Sequence, residues 1–594
     1  MSKITAKTKF KGLFTRYPVT KNKPNTAFVA RNIKIDGLGI RPIQGTKLFG
    51  NNTATAGQKI RDAYTFILQS GTEIPVRVRD DASNNIIEWY DATNDTWYTL
   101  LATTTGLNTS FTDFNSTTKN QLIWNNGTDN KTVWSGNITR LTAAVTGSPT
   151  SISVADTTDF PSSGTIIYNG TEIAYTSKTA TTFVQAGGFH DSAGADDGVA
   201  EAADDASLSA QGKGDVMISA LNRLWVRFQD KKNQLEYSDE GDALTYTGGS
   251  DRSDSGIEDF PIVGGDITGI SVKDEYIVVF KERAIIVFTF IYPTSTTKAP
   301  NLKEVIRANN IGAINHKGIA VGYNEVIYTT KNGIRSLNKV PGSTQDFNTD
   351  PLSNRIKNTL ENYDFTLASA IYDDKEDVFL VACKSKSTET NNNKVIALWF
   401  YDEEDENGNQ VRRSDFSILD IAADSFFKYN NKLYYGGSME GNTYEMWTGK
   451  TFAGTTRIAT YTNNRDDYGK KAIKKAGKYI IEGLISAGTK IKYKFIFDGG
   501  RLSSQTVTID ASGDYVSNSA INTLGAFTLG EEVLGGLIDE VSGLRPFRVV
   551  VEIKDENFFD LQIERTCETK GGDFIIYYEG IVDITEFYEL EPNI

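Results

Sequence analysis

Leu224-Trp225-Val226-Arg227-Phe228, Tyr276-Ile277-Val278-Val279-Phe280, Val326-Ile327-Tyr328-Thr329-Thr330, Val378-Phe379-Leu380-Val381-Ala382 and Lys432-Leu433-Tyr434-Tyr435-Gly436-Gly437 are versions of one phrase. Each is a short β-branched and aromatic run. A polar turn such as Lys331-Asn332-Gly333 ends it, and another run follows roughly ten residues later. Regular short strands at this spacing indicate a sandwich, a barrel or a propeller. The phrases repeat without a WD or kelch signature. A β-propeller with diverged blades therefore fits residues 206–450 best, because each blade has only to present four short strands.

The same texture extends back through residues 1–140. Alternating residues pass through a Gly-rich bend between Asn32 and Pro42, and stranded runs recur at Ile86–Asp91, Thr96–Leu100 and Leu122–Gly127. Asn126-Gly127 predicts a tight hairpin turn, whose two central residues both need positive φ. Between them, residues 141–205 lose charge and gain small residues. Runs at Ser151–Asp156, Phe160–Tyr168 and Glu172–Thr176 predict a small β module inserted into the propeller. A short amphipathic helix is expected after Asp350 as N-cap and Pro351 at N1, with Leu352, Ile356 and Leu360 on one face. From 451 to 594 the strands are longer. In Ile491–Phe497 the residues Ile491, Tyr493, Phe495 and Phe497 share one face, with the lysines Lys492 and Lys494 on the other, as in a β-sandwich with one face buried and one wet. The expected fold is all-β: a discontinuous propeller (1–140 and 206–450), an inserted small β module (141–205) and a C-terminal β-sandwich (451–594).

Composition agrees and excludes much. A chain of 594 residues is too long for one core and predicts about three to four domains. Glycine is plentiful (52) and proline scarce (13), a profile of strands and turns. Two histidines, His190 and His316, cannot furnish a His-rich zinc site or an H-E-x-x-H motif, and no Ser-His-Asp triad can be traced around either. Cys383 and Cys567 are far apart in sequence and read as two buried thiols more readily than as a disulfide. No phosphate-binding loop, nucleophile elbow or dinucleotide fingerprint occurs. The longest apolar run, Ala284–Tyr292, is less than half a membrane span, and the basic start through Arg16 lacks the apolar region of a secretory signal, so no membrane anchor is expected. The net charge of −14 suits a conduit that nucleic acid slides through more than a surface that grips phosphates.

Several phrases in order carry a resemblance: Arg223-Leu224-Trp225-Val226, Leu235 to Asp242, Asp266-Ile267-Thr268-Gly269-Ile270, Tyr276 to Ile285, Ile311-Gly312-Ala313 and Lys331 to Leu337. Together they resemble the β-propeller tail proteins of short-tailed bacteriophages, of the nozzle (tail tubular protein B) and head-completion stabilisation type. The likeness covers mainly 211–450 and more weakly 24–137. Residues 145–190 separately look like a small β module scattered through phage virion proteins, on Phe160-Pro161-Ser162-Ser163-Gly164 and Glu172-Ile173-Ala174-Tyr175. The resemblance implies a structural virion protein made in the host cytoplasm. It implies a six-fold ring below portal and adaptor that continues the DNA channel and gates genome retention and ejection. The implied contacts are the adaptor above, tail fibres or needle below, and viral DNA passing without sequence-specific binding.

No catalytic, cofactor-binding or metal residue is assigned. The acidic run Asp402-Glu403-Glu404-Asp405-Glu406 superficially offers a calcium loop, but the twelfth position from Glu403 is Ser414 and not a bidentate glutamate, so it reads as a hairpin tip. Asp373 to Asp377 reads likewise. Lys470, Lys471, Lys474, Lys475 and Lys478 read as the charged, solvated edge of a sheet. Trp89, Trp97, Trp225 and Trp447 could stack on sugars in a carbohydrate-binding or glycoside-hydrolysing propeller, but read more simply as core. That carbohydrate-active propeller and a baseplate or tail-tip component of a long-tailed phage are the alternatives to the nozzle.

Overall fold

The computed structural model describes residues 3–589, apart from gaps of five residues or fewer and the longer stretches 205–212, 292–300, 340–346 and 519–543. It is almost entirely β. Among the described residues, no helix is long and apolar enough to cross a membrane.

Seven antiparallel meanders follow one another among the described residues: 59–104, 110–134, 214–259, 267–309, 319–350, 363–419 and 423–446. The second has three strands. The seventh takes its fourth strand from far upstream, Thr46–Phe49, which pairs with Thr443–Met446 in the register Thr443↔Phe49 to Met446↔Thr46. Each meander's first strand neighbours the first strand of the next. Ala423–Tyr429 in turn neighbours Lys59–Ile67, so the order returns to its start.

The second strands explain why the sequence phrases are so apolar. Tyr276–Lys281 is buried at every position, and Arg223–Phe228 and Val378–Ser385 nearly so, because each lies in a sheet covered on both faces by its neighbours. Trp225, Ile270, Ile277, Val279 and Phe288 fill the space between the third and fourth meanders, and Val278, Phe280, Val287, Val326 and Tyr328 that between the fourth and fifth. Separate buried clusters of this kind join sixth to seventh and seventh to first.

Residues 138–201 form two small sheets around Leu141, Ile152, Phe160, Tyr168, Phe183 and Phe189. They lean on the first meander: Arg140 Nε lies 2.9 Å from Asp91, and a Cβ on Gly198 would meet the Tyr98 ring at 2.6 Å.

The terminal strands build two further sheets enclosing one core. One contains Lys3–Thr8, Ile33–Asp36, Gly39–Pro42, Ala472–Ser486, Leu544–Glu552 and Phe574–Glu589. The other runs from Thr26–Arg31 through Arg457–Asn463, Leu561–Thr569 and Lys490–Phe497 to Gln505–Asp510. It joins the sixth meander where Arg31 lies parallel to Ile418. The alternation in Ile491–Phe497 is realised: Ile491, Tyr493, Phe495 and Phe497 are fully buried.

Four local expectations are corrected. Strands before residue 42 belong with the terminal sheets and not the meanders, because Ile33, Ile35 and Ile40 bury against Tyr479, Ile481 and their neighbours. Asn126-Gly127 is no two-residue turn. Only Gly127 has positive φ (79°), and Asn126 Oδ1 caps a longer loop by accepting from Thr128 N (3.0 Å) and Asp129 N (2.8 Å). The helix after Asp350 is a 3-10 turn, Leu352–Ile356, followed by one α-turn, Lys357–Leu360. Asp350 ends a strand and no side chain caps the turn, although Ile356 and Leu360 do bury. The lysine cluster is not a simple edge either: Lys474 and Lys478 pair on both sides, and while Lys478 is exposed, Lys474 is fully buried with Nζ 3.1 Å from the Phe559 carbonyl. Lys470 and Lys471 lie outside the residues whose side chains are described.

Candidate functional site

Several perturbed polar groups lie where the first strands meet. A loop at 311–318 leads from the fourth meander into the fifth. Thr268 Oγ1 donates to the Ala313 carbonyl (2.8 Å), Ile314 N to Thr329 O (2.9 Å) and Ala370 N to Lys317 O (2.8 Å), fixing the loop's path. Gly318 N donates to Asn315 Oδ1 at 2.6 Å, closing the bend.

Lys317 thus reaches across the first strands. Its ammonium donates to the Arg61 carbonyl on the first meander and lies 3.4 Å from the Asp424 carbonyl on the seventh. Asp62 Oδ2 is 3.7 Å away. Burial pushes the Asp62 carboxyl up to about 6, against the pull of Lys317 and a hydrogen bond from Ala63 N. Burial also raises Asp424, whose Oδ1 accepts from Asn392 Nδ2 at 3.0 Å. One lysine, from the loop that enters the fifth meander, therefore faces a desolvated carboxyl on the first meander and the backbone of a residue with another on the seventh.

His316 turns the other way. Its Nδ1 faces Ile270 N at 3.4 Å, and Gly269 admits the loop: a Cβ there would meet His316 Cα at 3.1 Å. Burial, then the Arg227 guanidinium, push the imidazole down to about 4, so it stands neutral. Arg227 is held by Asp215 (Nε to Oδ1 2.7 Å) and by the Ile267 carbonyl. Between the first and second meanders, Tyr64 donates to Asp113 Oδ1 at 2.6 Å.

The two perturbed groups have opposite linkage signs. His316 binds its proton only near pH 4 in the fold but near 6.5 unfolded, so it withdraws stability as pH falls from 6.5 to 4. Asp62 binds its proton near 6 in the fold but near 3.8 unfolded, so it adds stability, up to about 3 kcal/mol, as pH falls from 6 to 3.8. In melting curves from pH 7.5 to 4.5, His316→Asn is expected to gain on the wild type as pH falls, and Asp62→Asn to lose. Parallel curves for all three would contradict this assignment.

Chemically, a carboxyl titrating near 6 beside a second carboxyl is a pairing used for general acid catalysis. Here a lysine stands beside both. Asp62 accepts from Ala63 N and faces that lysine, and Asp424 accepts from Asn392, an arrangement that cross-links meanders. Among the described residues, no group of three His, Cys, Asp or Glu side chains is placed to hold a metal ion.

The residues weighed from the sequence lie elsewhere. Trp89, Trp97 and Trp225 are buried in the cores between sheets, and Trp447 donates to Asp373 Oδ2 at 2.7 Å. Asp402, Glu403 and Glu404 end one strand of a hairpin whose register closes at Glu404↔Gln410, with Glu403 on Arg413 (3.3 Å); Asp405 and Glu406 lie outside the described residues. Asp373 to Asp377 form the turn of another hairpin. Cys383 and Cys567 are both buried and neither forms a disulfide, and burial raises the Cys383 thiol. Asp62, Lys317 and Asp424 escaped the sequence reading, because residues so far apart form no motif. No family model matches this chain, and no curated protein matches it significantly.

Proposed function

We propose that this chain is a structural virion protein of a tailed bacteriophage. In this reading the seven meanders are the blades of a β-propeller closed by Thr46–Phe49, and the terminal sheets form a sandwich. Six copies make a nozzle ring that continues the portal–adaptor channel and gates genome retention and ejection. The carrying observation is the return of the meander order to its start, sealed by a strand from the far end of the chain and pinned at its centre by Lys317. Such a body is stiff and suits a wall. The net charge of −14 repels a phosphate backbone, as a channel lining should. The phrases between Arg223 and Leu337 supply the phage address. The purified chain is expected to sediment as a ring and to bind a portal–adaptor complex; a monomer at high concentration that binds no such complex would sink the proposal. Imaging the particle would separate a nozzle from a baseplate position.

One observation favours a second reading, a carbohydrate-active propeller: the raised carboxyls of Asp62 and Asp424 where the first strands meet. A glycan array and a reducing-sugar assay test it. Turnover abolished by Asp62→Asn with the melting temperature retained would place this reading first.

A further inference from the structure

On a chain with 76 acidic and 62 basic residues, one cavity of about 440 Å³ has the opposite character. Lys331, Arg335, Lys357 and Lys386 line it, and Glu361 is the one carboxylate in its lining. All three lysines are exposed, and none is ion-paired among the described residues. The floor is built: Gly333, at φ +137°, lies so close to the short helical turn that a Cβ there would meet Ser353 Oγ at 2.3 Å, and Ile334 N donates to that hydroxyl at 2.9 Å.

The chain also carries the matching charge. Asp402 to Glu406 are five consecutive acids, and of the described ones Asp402 and Glu404 are exposed while only Glu403 has an arginine partner. Within one molecule, among the described residues, none of these acids is paired with a lysine of the cavity. Lys386 follows Val378–Ser385 at the end where Cys383 pairs with Lys394, whereas the acids end the strand that Lys394 begins. That strand, Lys394–Glu404, has 11 residues and spans about 35 Å.

We propose that the basic cavity receives the acidic hairpin of a second copy of this chain, head to tail. The inference rests on the ring reading and names its contact. Identical copies joined by two different surfaces close into a ring when the rotation allows. The charges set register and encounter rate, while apolar contacts elsewhere carry tightness.

The test uses the full-length chain in sedimentation velocity at about 0.1 M salt, where charges act over roughly 10 Å. Lys357→Glu with Lys386→Glu is expected to weaken self-association about tenfold, and Asp402→Lys with Glu404→Lys by a similar factor. All four substitutions in one chain restore association, and salt near 1 M weakens the wild type. Melting curves confirm that each variant is folded. Assembly untouched by either reversal, or unrestored by the four-fold swap, overturns this contact while leaving the ring intact. A wild type that stays monomeric overturns both. Loss of duplex DNA binding in the lysine variant with assembly unchanged makes the cavity a phosphate site and overturns the proposal.

Discussion

Replacing Glu579 by leucine is expected to destabilise the terminal unit by about 3–5 kcal/mol. Glu579 and Arg565 face each other inside the core between the two terminal sheets, 0% and 1% exposed, with Nη2 and Nε of the arginine on the carboxylate. Tyr479 and Tyr493 each donate to it at 2.7 Å, and Arg565 Nη1 donates to the Ile563 carbonyl at 2.9 Å. A buried ion pair gains little over an apolar pair of equal shape, because desolvation offsets the attraction. Removing one partner is different, since an uncompensated guanidinium and two phenols stay behind. Hydrogen exchange over Leu561–Thr569 and Phe574–Glu589 is the measurement, because a chain of several units need not unfold in two states. Arg565→Met combined with Glu579→Leu is expected to recover much of the loss. A single variant within about 0.5 kcal/mol of the wild type would show that the network carries no structural load.

Much of this fold was legible because burial imposes its own spacing. A strand with one wet face must alternate, and Ile491 to Phe497 does. A strand covered on both faces must be apolar throughout, as Tyr276 to Phe280 is. What escaped was set by partners hundreds of residues away. Thr46–Phe49 is four unremarkable residues until Thr443–Met446 lies beside it. Lys474 read as a solvated charge because the Phe559 carbonyl that receives it cannot be inferred from its neighbours. Asn126-Gly127 matched a turn preference that the loop overrode with side-chain acceptors. The site was the least legible part. His316 stood out by rarity alone, and the sequence around Asp62, Lys317 and Asp424 has no feature that distinguishes them from other charged residues.

The same dependence on a distant strand makes Phe49→Ala the second large effect, about 3 kcal/mol and confined to one place. Phe49 projects from the strand Thr46–Phe49 among Tyr90 (4.3 Å between centroids), Tyr434 (4.4 Å), Tyr429 (5.9 Å) and Trp97 (6.0 Å), aromatic rings of the first and seventh meanders. Nearby, Arg77 stacks 4.1 Å over Trp97 and bridges Glu88 (2.7 Å) to Thr443 Oγ1 (2.9 Å), so the same junction carries a polar tie. Phe49 is partly buried, so truncating it removes the ring that several others pack against and opens a cleft that fixed backbones cannot collapse. The other junctions have their own clusters, such as Trp225 with Phe288, and feel nothing directly. Faster hydrogen exchange is therefore expected over 46–49, 443–446 and the adjoining strand Lys59–Ile67, with 214–309 unchanged. If exchange rose equally at every junction, closure would be a property of the whole molecule. If it rose nowhere, the strand pairing alone would hold the chain's two distant segments together, and the aromatic cluster would be packing without consequence.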